Sequence, residues 1–399
     1  MKRPKTKLST DAKLLLAASS FSSITDVFLG AFLISFIMRN SVMEIVSVSA
    51  YRLSLFIALI AGFYILTDWV KRKNKVAVFR LYLIPRILIL LGIIFLREGI
   101  VDYIIPIGIL VGACAALYWA PMHCMVSEKV SPAQMPKFIG YDGMFAGIVK
   151  VLTPVLLGLF ITVGSYETMA KVFLVVCMFE FIFLFFIKSS MHRSKKRPDF
   201  VGFFNCMMRF PVIRKLFYIE MLRGFSKNGA LGTIITMYTV YLFKTDFNLG
   251  ILTTIFAMIA IFKSFLFGRF GKKSAFPLIL SISTLAALSS LALFIFYTSE
   301  LTFIIYNFIA VTGIGLLGNI ASANMYYLSK SPCVSKDHKT EYFVFRETAL
   351  SIGRLVSFSG LLLVGLYGGY EYLRWYMVPM TLAIVLVGYW SIRIGKHIK

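Results

Sequence analysis

Seven ionisable side chains stand near the middle of long apolar runs: Asp26, Arg52, Arg86, Lys150, Glu180, Lys227 and Arg354. An ionised group at the centre of a bilayer is costly unless it is paired or hydrated, so each of these residues marks a place where charge is handled. Surplus cations around a hydrated hollow hold an anion, because charge pairing is stronger there than in water. A carboxylate in the same setting takes up and releases a proton as its access to water changes. Asp26 is the first choice for that role, followed by Glu220 and Glu347. The competing reading of Asp26 is a structural acid, hydrogen-bonded to Ser22 or Thr25.

Helical phase groups some of these residues. Glu220, Arg223 and Lys227 recur at i, i+3 and i+7 and share one helix face, as do Glu347 and Arg354 seven apart. With Arg346 and Asp142 they would form a ring of opposite charges at one end of a pathway, able to close it and reopen. A set of static salt bridges is the alternative. The stripe of Tyr118, Trp119, Met122 and His123 and that of Asn319, Ser322, Asn324 and Tyr327 supply polar and aromatic contacts suited to an amphipathic solute, or simply pack.

The elements that must position these groups are membrane spans. Of 399 residues, 59% are AVILMFWYC and only 15% are DEKR, against roughly 45–50% and 25% in soluble domains. Apolar runs of bilayer length fall near 13–38, 42–69, 76–96, 102–125, 138–163, 168–188, 215–243, 249–268, 275–298, 302–327, 341–367 and 371–393. The fold expected is therefore an all-α integral membrane protein with twelve transmembrane helices in two pseudo-symmetric six-helix bundles. The net charge of +24 sits in short clusters between the runs, the pattern of cytoplasmic loops rather than of a nucleic-acid surface. Basic residues crowd the loops on the side of the termini, placing both termini in the cytoplasm of a plasma (inner) membrane. Residues 1–188 form the first half, 189–214 a linker and 215–399 the second half. Within the linker, 200–210 is apolar but too short to cross, reading as either a surface helix or a plain connection. Five cysteines without C-x-x-C spacing, no metal-ligand cluster and no G-x-x-x-x-G-K-[ST] loop leave no call for a cofactor, a metal or ATP.

The halves repeat. Asp68-Trp-Val-Lys71-Arg72-Lys73 and Gly268-Arg269-Phe270-Gly271-Lys272-Lys273 stand 200 positions apart, Gly112–Ala120 and Gly313–Ala321 stand 201 apart, and Lys150 and Arg354 stand 204 apart. At these residues the chain resembles the major facilitator superfamily, whose loop between spans two and three carries G-x-x-x-D-R-x-G-R-R with a weaker copy between spans eight and nine. The first copy keeps Asp68, Arg72 and Lys73 but has Tyr64 and Lys71 where Gly is usual and Trp69 where Arg is usual. The second keeps Arg269, Gly271, Lys272 and Lys273 but has Gly268 in place of the acid.

The resemblance implies that spans one, two, four, five, seven, eight, ten and eleven line a central cavity. Asp26 then faces Arg52, Lys150, Lys227 and Arg354, which with Tyr118 and Asn319 become the solute-binding set, while Arg86 and Glu180 fall on supporting helices. Asp68, Arg72, Lys73, Arg269 and Lys272 become conformational latches, with Asp142, Arg223 and Arg346 at the gate. The function expected is secondary active transport of a small organic solute by alternating access, proton-coupled, with an anionic solute favoured and a monomer as the working unit. Open alternatives are a proton-coupled exporter of amphiphiles or lipids and, remotely, a membrane acyltransferase using His123.

Overall fold

A computed structural model describes residues 8–130, 135–187, 196–270, 276–310, 325, 328, 329, 334 and 338–397. Among the described residues the structure is helical throughout, without strands. Six segments are long and apolar enough to cross a membrane, Thr10–Arg39, Glu44–Arg72, Lys75–Lys129, Tyr141–Ile161, Lys339–Tyr367 and Gly369–Ile394, and shorter apolar helices stand between them.

The first segment is α1 (Thr10–Val27), a wide π turn (Phe28–Phe32) and α2 (Leu33–Arg39). Next comes α3 (Glu44–Arg72). Lys75–Lys129 is a hairpin: α4 (Lys75–Arg80) and α5 (Leu83–Leu96) run one way, a 3-10 turn at Arg97–Tyr103 reverses the chain, and α6 (Ile104–Lys129) returns. The register follows from Cys114 Sγ donating to the Tyr82 carbonyl at 3.3 Å and from Gly92 facing Ile107. Then follow α7 (Met135–Val163) and α8 (Tyr166–Leu184).

The 200–210 segment forms a helix, α9 (Phe200–Arg209). It turns buried Phe203 toward Tyr342 and Phe345 and leaves Val201, Phe204 and Met208 exposed, the division expected of a helix lying at a lipid surface. The run 215–243, read in the sequence as one span, is instead two helices. These are α10 (Pro211–Phe225) and α11 (Ala230–Phe243), separated by Ser226–Gly229. Gly229 sits where an added Cβ would come 2.2 Å from the Gly224 carbonyl oxygen, so the chain folds over itself at that point. The chain continues through α12 (Asp246–Phe270), α13 (Phe276–Phe296), α14 (Glu300–Ile309), α15 (Lys339–Tyr367) and α16 (Gly369–His397).

Small residues set the closest packing. Lipid tails are as apolar as leucine, so close helix association relies on dispersion and hydrogen bonds, which small residues permit. Gly108 and Gly112 of α6, four apart, press on the α3 backbone near Tyr51 and Leu55. Gly224 of α10 and Gly353 of α15 interlock: an added Cβ on Gly224 would stand 1.8 Å from the Leu350 carbonyl oxygen, and one on Gly353 1.9 Å from that of Met221.

Two antiparallel helix pairs join the helices before α9 to those after it. The α3–α15 seam extends from Ile45 against Gly365, through Phe56 on Phe358 with ring centroids 5.5 Å apart, to Thr348 donating to Tyr64 Oη at 3.3 Å. In the α7–α12 seam, Thr254 Oγ1 donates to the Val151 carbonyl at 2.6 Å and Gly250 lies against Pro154.

Gly224→Ala should force α10 and α15 apart and lower stability by about 1–3 kcal/mol, read as a fall in the thermal midpoint of the purified protein. Gly143→Ala, at a position with nothing within 4 Å, should leave that midpoint unchanged.

Candidate functional site

The intramembrane charges resolve into two bonded networks. In the first half, Arg86 on α5 reaches Asp26 Oδ1 on α1 at 2.9 Å, Ser22 Oγ at 2.9 Å and Glu180 Oε2 on α8 at 3.3 Å. Tyr82 Oη donates to the other Glu180 oxygen, and the guanidinium lies 4.9 Å from the Tyr82 ring centre. The triad is graded in exposure: Glu180 is fully enclosed, Arg86 is 3% exposed and Asp26 is 52% exposed. Arg86 is thus anchored from behind by a buried acid and presents an accessible one in front.

In the second half the bonds run as a chain. Arg223 Nη1 donates to Glu220 Oε1 at 2.6 Å and Arg346 Nε to Glu220 Oε2 at 3.1 Å. Arg346 Nη1 then donates to Glu347 Oε2 at 2.8 Å, and Arg354 Nη1 to Glu347 Oε1 at 2.6 Å. Three guanidiniums therefore share two carboxylates, all four carboxylate oxygens are occupied, and the chain carries one surplus positive charge. At its far end Arg354 Nε donates to the Asn228 carbonyl in the break between α10 and α11 at 3.3 Å. The same guanidinium lies 4.8 Å from the ring centre of Phe56, across the seam. On the other side of the break the first amide of α11, Ala230 N–H, donates to Ser357 Oγ at 2.9 Å.

Several residues expected in the site stand elsewhere. Asp26 pairs with Arg86, which the sequence placed on a supporting helix, while Arg52 and Arg354 bond other groups. Arg52 donates to the Gly30 carbonyl in the π turn at 3.0 Å; a π turn widens the helix and opens its carbonyls to outside donors. Tyr118 is buried among Phe79, Tyr82 and Trp119, with centroids 4.8–5.3 Å away, and its hydroxyl meets Ser19 of α1. Lys150, exposed on α7, stands within electrostatic reach of Asp26, as expected, and of Asp142, whereas Lys227 is exposed in the α10–α11 break. Asp142 is half-buried and turned toward Ser19 of α1, apart from the Glu220–Glu347 chain. Asn319, Lys272 and the side chain of Arg269 lie outside the described residues.

The loop signature is rearranged as well. Asp68 bonds Arg72 on its own helix at 3.4 Å, both more than a third exposed, and Lys73 lies over the neighbouring Trp69 ring, so these three of the five expected latches make local contacts. The bond between halves comes from Lys71, the residue standing where the family pattern has glycine. Its ammonium is buried and donates to Glu341 of α15 and to the Arg197 carbonyl at 3.3 Å. The same Glu341 oxygen accepts the Asp199 N–H at 2.9 Å, so first half, linker and second half meet on one carboxylate. Nearby, His123 of α6 stacks on Phe343 of α15 at 5.2 Å. At the opposite end, Arg39 Nη2 donates to the Lys244 carbonyl at 3.1 Å, and Tyr370 Oη donates to Glu44. Glu341 carried no sequence signal beyond being an acid at the start of an apolar run.

A two-half helical bundle with seams at α3–α15 and α7–α12 and buried charge networks in both halves defines a membrane carrier. The chain matches the Major Facilitator Superfamily over residues 15–358 and belongs to it. It is thus a multi-pass membrane transporter and not an enzyme. It is 20% identical over 351 residues, 87% of this chain and 80% of the other, to the uncharacterized protein YqgE of Bacillus subtilis (strain 168). Among solved structures it resembles a bacterial homologue of the iron transporter ferroportin. The outward-facing state with soaked iron gives a TM-score of 0.66 at 15% identity, covering 97% of this chain and 100% of that one. The inward-facing state gives 0.61 over the same coverage. A bacterial metal transporter gives 0.56 at 13% identity, covering 98% and 100%.

Lys71→Gln should strand the buried Glu341 carboxylate and cost about 3–5 kcal/mol, measured as a drop in thermal midpoint. Arg72→Gln, which breaks an exposed pair, should cost no more than about 1 kcal/mol.

Proposed function

We propose that the protein is a proton-coupled secondary transporter that carries a small organic anion across the plasma membrane by alternating access, as a monomer and without a cofactor. The observation that carries this reading is the opposite charge balance of the two networks. The first-half triad sets one cation between two acids, and the second-half chain sets three cations on two acids.

Proton exchange suits Asp26 for a stated reason. When it is protonated, Arg86 keeps its bonds to Glu180 and Ser22, so no buried cation is left uncompensated. The anion suits the end of the other chain, where Arg354 stands at the break between α10 and α11. A broken helix exposes a half-helix N-terminus whose partial positive charge adds to the guanidinium. Lys227, in the break itself, extends the positive field. An arriving anion competes with Glu347 and the Asn228 carbonyl for Arg354, which also touches Phe56 of the other half, so binding is communicated to the seam.

Gating is assigned to the Lys71–Glu341 bond on the basic face and to the Arg39 and Tyr370 bonds on the other, with the basic face cytoplasmic by the distribution of Lys and Arg. The higher TM-score to an outward-facing than to an inward-facing neighbour agrees with the closed Lys71–Glu341 contact. Those neighbours are described as metal transporters. In this chain, the observation favouring the anion is the surplus cation at the Arg354 end of the second-half chain.

In proteoliposomes, uptake of radiolabelled organic anions should fall at least tenfold with Arg354→Ala and be partly retained with Arg354→Lys. Ferrous-ion uptake indifferent to Arg354→Ala would replace the anion reading. Asp26→Asn should abolish stimulation by an imposed pH gradient while leaving anion exchange at equal pH intact; loss of both together would place Asp26 in solute binding.

A further inference from the structure

A cavity of about 610 Å³ lies between α1 and α7, with Lys13, Ala17, Phe21, Ile24, Tyr141 and Phe145 on its walls. Helical phase tells which way it opens. On α7, Tyr141 and Phe145 share the stripe of Met144, Ile148 and Leu152, all exposed apolar side chains, whereas Gly147 and Val151 on another face meet α12. On α1, the groove wall Phe21 meets Phe183 of α8 with ring centroids 5.7 Å apart, so this side of α1 is turned toward α8, the helix of Glu180. The groove therefore faces the surrounding lipid rather than the space between the halves.

Its dimensions match one leaflet. Lys13 and Ile24 are eleven positions apart, about 16 Å of helix, close to half of the roughly 30 Å hydrocarbon thickness. Its shallow end carries a cation and the remainder is mainly apolar. Asp11, the acid nearest Lys13 in sequence, is taken by Lys129 at 2.7 Å. We propose that this groove is a binding site for an anionic phospholipid of the leaflet on the basic face. One acyl chain lies along Phe21, Ile24 and Phe145, and the headgroup phosphate sits on the Lys13 ammonium. A phosphate at that depth meets a cation in a chain whose overall charge of +24 already draws anionic lipid toward it.

The site joins two moving parts. The deep end of the groove stops two residues short of Asp26, and α7 is the helix that forms the seam with α12. A resident lipid tail props α1 away from α7 and sets how closely the two pack. The assignment stands independently of the solute reading.

The test uses the full chain in nanodiscs containing either a phosphatidylglycerol or a phosphatidylcholine that carries a photoactivatable group on its acyl chain. Labelling by the anionic probe should exceed that by the zwitterionic one at least threefold and map to peptides containing Phe21 or Phe145. Lys13→Gln should remove the difference between the probes, and Ala17→Phe, which fills the groove, should abolish labelling by both at an unchanged thermal midpoint. If Ala17→Phe proves unstable, Ser20→Leu serves the same purpose at a second wall position. Equal labelling by the two probes, or labelling indifferent to Lys13→Gln, overturns the headgroup assignment. Protein-dependent transfer of the probe to the opposite leaflet makes the lipid a cargo and overturns its role as a resident ligand.

Discussion

An ionised side chain inside a bilayer must be met by an opposite charge or by water, and this constraint organises the molecule. The chain places acids and arginines at the depth of the lipid tails, and most are tied into bonded networks. Breaking such a pair by removing one partner leaves a buried charge that costs several kcal/mol. Each network is therefore stable as a whole and sensitive to the arrival of a competing ion. A carrier needs that property, because the binding of a proton or solute must alter the energy of a structure that is otherwise held together.

The two networks differ in how they are exposed. The Arg86 triad runs from a sealed glutamate to an open aspartate, so change is possible at one end only. The Arg223–Glu220–Arg346–Glu347–Arg354 chain links α10 to α15 and ends at a break in the helical backbone, beside an aromatic ring of the other half. Gly224 and Gly353 allow that proximity by bringing the backbones of α10 and α15 together. The Gly224–Gly353 contact lies within one half, whereas the α3–α15 seam combines Ile45 on Gly365 with ring and hydroxyl contacts.

The basic face shows how a departure from a familiar pattern gains meaning in three dimensions. A glycine at position 71 would have no side chain to offer. Lysine at that position reaches Glu341 on the far half, and the linker backbone at Asp199 joins the same carboxylate. The linker is thereby part of the contact that joins the two halves at that end, and α9 packs on α15 beside it.

The sequence by itself determined the class of fold. Apolar runs of bilayer length and clustered basic loops are local properties of the chain, as is the offset near 200 residues between its halves, and lipid imposes their consequence on any conformer. Phase along a single helix was legible for the same reason: the pairing of Glu220 with Arg223 and of Glu347 with Arg354 follows from 100° per residue. Partners on different helices were not legible, because the choice between Arg86 and Arg354 for Asp26, or between Asp68 and Lys71 for the bond across the seam, depends on how helices rotate and slide against one another. Those rotations are set by glycine contacts and ring packing summed over whole interfaces. The break at Ser226–Gly229 did carry a local signal, the Asn228-Gly229 pair of a turn, but its place inside an apolar run masked it, and the bonds to Arg354 and Ser357 help to satisfy the open backbone there.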